Sequence, residues 1–312
     1  MSAIDSKPVP VQPPSQRAYV FAFATVYLVW GSTYLAIRVA VESMPPFALA
    51  AVRFALAGAL LMAFLRVCGA AWPTPRQWRD AAVSGFFLLL GGNGLVTWAE
   101  RSVPSGVTAL LIGSGPLFVV LVEWVWPGGA RPRALTAAGM LLGFAGVVWL
   151  AAPWEHAGAG ALPPAGVAGI LIACVSWAIG SIYGRHVRTP ASSFTAAAAQ
   201  MLAGSGSLAL VAIARGEFSG WDLAATTARS WTAFAYLVLV GSLAGYSAFV
   251  WLVKHASAAQ TATYAYVNPV VAVFLGWLLL GEPVGARTLG ASAVILGAVV
   301  IVTLAKNRTR AV

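Results

Sequence analysis

Two tryptophans, Trp30 and Trp177, stand 147 positions apart, each at the middle of a long apolar run. An indole N–H at that depth in hydrocarbon finds no water to bond. Three placements are open to such a ring: the wall of a substrate cavity, a buried helix contact, or the lipid face. Around the pair the chain sets a sparse group of aromatic and polar residues inside apolar sequence: Tyr34, Asn93, Trp98, Ser114, Ser181, Tyr246, Tyr264 and Asn268. Aromatic faces with a few hydrogen-bonding groups suit an amphipathic solute. A phosphate site would need several buried Lys or Arg, and Arg53 alone lies well inside an apolar run.

Pro116 and Pro269 also fall near the middle of apolar runs. Each lacks an N–H and frees the carbonyl four residues earlier, at Ile112 and Ala265. They are expected to break their helices, with Ser114 and Asn268 supplying polar groups beside the break; a plain structural kink is the other reading. Arg53 is costly in hydrocarbon and should face the interior. Its expected partner is Glu100, at the end of the third run. That pair could bind substrate or gate one mouth, or be a static structural pair.

The rest of the chemical inventory is thin. The three histidines sit in loops or at run ends, and no carboxylate falls clearly at mid-run. A buried carboxylate is the usual carrier in proton-coupled transport, so facilitated diffusion, or weak coupling through Glu100, is expected over obligate proton antiport. There is no phosphate-binding loop, no HExxH or GxSxG motif, and Cys68 and Cys174 lack metal spacing. No catalytic residue, metal, cofactor or ATPase subunit is expected.

The elements that must position these residues follow from composition. Of 312 residues, 60% are hydrophobic and 9% charged, with a mean hydropathy of +0.82. Soluble domains carry about 25% charged residues. A span needs about 20 apolar residues, and ten runs qualify: 18–41, 46–68, 78–99, 104–126, 134–152, 166–187, 192–214, 230–253, 259–280 and 286–305. The fold expected is an all-α polytopic membrane protein. A proline-rich segment, 1–17, is expected as a disordered cytoplasmic tail, and 306–312 as a basic one. With the N-terminus inside, 13 Lys and Arg fall on the cytoplasmic side and 5 on the other, which places both termini inside. The net charge of +10 is explained in this way, without nucleic acid.

The halves correspond. Trp30 and Arg38 match Trp177 and Arg185 at one offset, while Thr108, Pro116 and Trp124 match Thr261, Pro269 and Trp277 at another. Two repeats, 18–152 and 166–305, are expected to flank an external linker, 153–165. Five spans is an odd number, so the second copy should be inverted, as in many secondary transporters.

Trp30-Gly31-Ser32-Thr33-Tyr34, Pro45-Pro46-Phe47, Trp98-Ala99-Glu100, Gly115-Pro116-Leu117-Phe118, Asn268-Pro269-Val270 and Gly281-Glu282-Pro283 together resemble EamA-type proteins of the drug/metabolite transporter superfamily. The resemblance spans residues 18 to 305. It implies ten helices in two inverted repeats around a central cavity, and export of small metabolites, amino acids or drugs from the bacterial inner membrane. Within that family the chain is similar to the amino-acid exporters of the YddG type. One departure is that Gly128-Gly129 stands where the second repeat has Gly281-Glu282, which puts a role for Glu282 in doubt.

The function expected is export of small metabolites, foremost aromatic or bulky apolar amino acids, by alternating access. A broad-specificity efflux carrier with proton antiport is the alternative, and a membrane enzyme or receptor lies further off. The partners expected are the solute and the lipid bilayer; monomer and homodimer stay open.

Overall fold

The computed structural model describes residues 15–129, 131–152, 162–187, 190, 192–256, 258–261 and 263–310. Among them there is no strand. Ten helices form the bundle: α1 Gln16–Ala40, α2 Pro46–Val67, α3 Pro75–Ala99, α4 Ser105–Val125, α5 Ala134–Ala151, α6 Pro164–His186, α7 Ser193–Ala214, α8 Ala228–His255, α9 Tyr264–Leu280 and α10 Ala286–Arg310. Nine have the length and hydropathy to cross a membrane. α9 has 17 residues, about 25 Å at 1.5 Å each, short of a ~30 Å hydrocarbon core. The expected run 259–280 is divided here: a single turn, Ala258–Thr261, precedes α9.

Local chemistry sets the ends. Ser15, Thr74, Ser192 and Thr227 each accept a backbone N–H of the first turn of α1, α3, α7 and α8, filling one of the orphan donors there. Thr74 and Gln77 form a reciprocal capping box. Gln16 and Arg17, expected in the tail, open α1 instead, and the rest of that tail lies outside the described residues up to residue 14. The expected linker lies outside them over 153–161, and Pro164 begins α6. At the other terminus the helical backbone runs on through 306–310.

α2 lies along α7, α4 along α9 and α5 along α10. Each pair joins helices five apart in order. α1 packs on α8 and α9, as α6 packs on α3 and α4. Exchanging each helix with the one five places away thus carries these contacts into one another. The largest apolar core joins α1, α2, α7 and α8 around Phe54, Met201, Leu208 and Leu237. A second joins α4, α5, α6 and α10 around Leu110, Leu150, Ile170 and Ile295. Phe21, Phe64, Leu141 and Leu210 point outward, as a lipid-facing surface requires.

α3 and α8 share a further feature. Residues Phe86–Gly94 and Leu237–Tyr246 are wound as π-helix within otherwise α-helical spans. Such segments carry one residue more per turn than the α-helix can hold and gather at functional sites.

Candidate functional site

The central cavity lies between the halves. Its walls come from α1, α2, α3, α4, α6, α8, α9 and α10. It offers about 160 Å³ to the centres of water molecules, well above the roughly 10–15 Å³ needed to hold one water. Its lining reaches Arg185, Val253 and Thr303 near the ends of α6, α8 and α10, the end of the bundle where the start of α1 meets the end of α8 through Tyr19 and His255. At the opposite end Glu100, Val103 and Ser105 are fully buried.

Trp30 and Trp177 both line the cavity. Their rings meet edge to face, with centroids 5.6 Å apart and planes at 81°. Phe249 of α8 completes the box at 4.8 Å from Trp30 and 5.4 Å from Trp177. Tyr264 sets its ring edge-on to Trp30 at 5.4 Å. These are favourable aromatic geometries. The π-helical segments make room for both indoles. A Cβ on Gly92 would lie 2.8 Å from Trp177 Cε3, and one on Gly245 would lie 2.8 Å from Trp30 Nε1. Each tryptophan therefore rests against bare backbone of the neighbouring half's π segment.

Tyr34, Asn93, Ser181 and Tyr246 also line the cavity. Tyr246 donates its hydroxyl to Gln200 Oε1 at 2.8 Å, which fixes its ring. Trp98, Ser114 and Asn268 lie elsewhere. Trp98 packs over Gly169 of α6. Ser114 is buried and donates to the Leu111 carbonyl at 2.6 Å. Asn268 is buried, and its amide has no hydrogen-bond partner among the described residues. The two prolines differ. α4 is interrupted at Ser114, and Pro116 sits in the first turn after the break, on the cavity wall. Pro269 lies inside continuous α9 and does not break it. Its ring packs where Gly113 leaves α4 without a side chain.

Arg53 is 4% exposed and lines the cavity. Its Nε donates to Ser242 Oγ at 2.8 Å, and its guanidinium lies 4.7 Å from the Phe54 ring centre. The expected ion pair with Glu100 is not formed: among the described residues no carboxylate lies within 4.0 Å of Arg53. Glu100 is fully buried outside the cavity lining, and neither carboxylate oxygen has a hydrogen-bond partner among the described residues. Arg38 donates to the Glu100 main-chain carbonyl instead.

Two glutamates that the sequence reading discounted or passed over cap helix starts. Glu282, just after α9, accepts from Ser105 N, Ser105 Oγ and Gly106 N at 2.8, 2.8 and 2.9 Å. Glu217, just after α7, accepts from Phe47 N and Ala48 N at 2.8 and 2.9 Å. Each thus caps the helix that its own helix lies along, α4 and α2. Both receiving helices start behind a proline, Pro104 and Pro45, which has no side-chain acceptor for the first-turn donors. That was the signal in the sequence. Glu282 reaches α4 because Gly281 turns the chain at φ +66° and Gly276 leaves space for its carboxylate.

The model of the EamA-like transporter family matches this chain twice, over residues 17–152 and 164–304. The inner membrane transporter YedA of Escherichia coli (strain K12), itself uncharacterized, is 40% identical over 287 residues, 91% of this chain and 90% of its own. The uncharacterized transporter YvbV of Bacillus subtilis (strain 168) is 25% identical over 307 residues, 96% and 95% of the two chains. One protein crystal structure shares the fold, with a TM-score of 0.66 at 24% identity over 92% of this chain and 98% of its own.

Proposed function

Because the chain belongs to the EamA-like transporter family, we propose that it exports small amphipathic metabolites across a bacterial inner membrane. Aromatic and bulky apolar amino acids are the leading class. The observation that carries this reading is the cavity between the halves, where Trp30, Trp177 and Phe249 form an aromatic box beside the polar groups of Asn93 and Ser181. Such a lining matches a solute with an apolar body and a few polar atoms.

In this reading the two repeats are inverted and both termini are cytoplasmic. The odd number of helices per repeat, the exchange of contacts between helices five apart and the Lys and Arg bias support it. The inner membrane is suggested by the name of YedA. Transport then proceeds by alternating access, the repeats rocking about the central site. The cavity lining holds no Asp or Glu among the described residues, which favours facilitated diffusion.

The test is uptake of labelled phenylalanine and threonine into proteoliposomes, with and without a pH gradient. Uptake of phenylalanine without a gradient, lost in Trp30→Ala/Trp177→Ala protein, is expected. Uptake that needs the gradient would replace facilitated diffusion with proton coupling. Failure of both amino acids under both conditions would remove the amino-acid assignment.

A further inference from the structure

Building on that carrier reading, we propose that the cavity holds its solute by a carboxylate on Arg53, and prefers aromatic or apolar organic acids to the matching amines. A guanidinium keeps its charge in any surroundings and presents a planar fork of donors that fits a carboxylate. Here it is held in place. Ser242 takes its Nε, Phe54 lies against its face, and Gly241 leaves space beside Nη2, 3.1 Å from where a Cβ would stand. The guanidinium stays on the cavity wall.

Among the described residues no acidic group neutralises it at contact distance. No described carboxylate lies within 4.0 Å. Glu100 makes no hydrogen bond with either oxygen and is sealed from water. Burial without hydrogen bonds, with Glu282 adding to it, pushes that carboxyl toward the neutral acid, against the pull of Arg38 and Arg53. A buried cation without a partner is unfavourable until an anion answers it. The cavity supplies the space for that anion, and the aromatic box supplies the surface for the rest of the molecule.

The same lining disfavours an amine. Among the described residues its charged side chains are two arginines, Arg53 and Arg185, with no carboxylate. An ammonium would find the π faces of Trp30 and Trp177 and no counter-ion. An amino acid, which carries both groups, falls between the two extremes.

Three probes with one phenyl ring separate these terms: 3-phenylpropanoate, phenylalanine and 2-phenylethylamine. Their binding to the full chain in detergent is measured by titration calorimetry. 3-Phenylpropanoate is expected to bind at least tenfold tighter than 2-phenylethylamine, with phenylalanine between. Arg53→Gln should weaken the acid at least tenfold and leave the amine unchanged or tighter, and Arg53→Lys should recover part of the loss. Ser242→Ala, which keeps the arginine, should weaken the acid several-fold without changing the amine. Each variant's melting temperature reports its folding. Equal binding of acid and amine, or an Arg53→Gln change that weakens all three alike, overturns the carboxylate site while leaving the carrier reading in place. Binding of none of the three by the wild type overturns both.

Discussion

Trp30 of α1 and Trp177 of α6, at equivalent places in the two halves, touch edge to face across the central cavity with centroids 5.6 Å apart. In the proposed carrier, this contact between the halves would tie solute recognition to the movement of one half against the other. Aromatic pairs of this geometry contribute about 0.5–1.5 kcal/mol beyond burial. A double-mutant cycle with Trp30→Ala and Trp177→Ala, read by denaturant unfolding in micelles, should give a coupling of about that size. Additive effects would mean that the rings do not meet in the folded protein.

The glycines under the two indoles should behave as a pair. Gly92→Ala and Gly245→Ala each place a Cβ 2.8 Å from a tryptophan ring atom, and overpacking of this kind costs about 1–3 kcal/mol. Gly206→Ala and Gly297→Ala, where a Cβ meets nothing within 4 Å, are the controls. They sit inside helices and should be neutral or stabilising by up to about 1 kcal/mol. Melting temperatures that fail to separate the two pairs would contradict the packing described here.

Glu282 joins the end of α9 to the start of α4, so its removal should be felt at a helix it does not belong to. Hydrogen bonds to a charged group contribute about 1.5–3 kcal/mol. Glu282→Ala should lower stability by about that amount and speed hydrogen exchange at the amides of Ser105 and Gly106. Gly276→Ala, whose Cβ would stand 2.5 Å from Glu282 Oε2, should reproduce much of this loss. The two changes combined should fall short of their sum, because both undo one contact.

Glu100 offers a test of charge. If it is a buried neutral acid, Glu100→Gln keeps its shape and protonation and should change stability by less than about 1 kcal/mol. Breaking a buried ion pair by removing one member costs about 3–5 kcal/mol. Thermal unfolding of Glu100→Gln therefore separates the two, and a large loss would restore an ionic role for the residue.

The thickness of the hydrocarbon layer dictates run length, so most runs could be read to within a few residues: 46–68 became Pro46–Val67 and 134–152 became Ala134–Ala151, while 259–280 was split into Ala258–Thr261 and Tyr264–Leu280. Depth was legible for the same reason. Trp30 and Trp177 stood out because they repeat at a fixed offset. Direction around the helix was not legible. In a bundle whose helices are apolar on nearly every side, no polar face marks which way a residue points. Ser114 and Asn268 therefore lie at a suitable depth and outside the cavity. Phe249 was missed because its counterpart in the first half, 153 positions earlier, is Val96. Val96 lines the same cavity but gives no aromatic signal. Ser242 and Gln200 went unnoticed because their worth depends on the partners, Arg53 and Tyr246, that folding brings to them. Glu282 was discounted for having glycine at the matching place in the first repeat, although an uncapped helix start behind Pro104 was waiting for an acceptor.

The π-helical turns also bear on ancestry. A π segment arises when a single residue is added to a helix without a compensating loss, and it disfavours itself wherever nothing calls for it. This chain carries one in the third helix of each half, and one family model describes both halves. The two copies act as a record of each other. Descent of both halves from one repeat that already held the extra residue would leave this pattern.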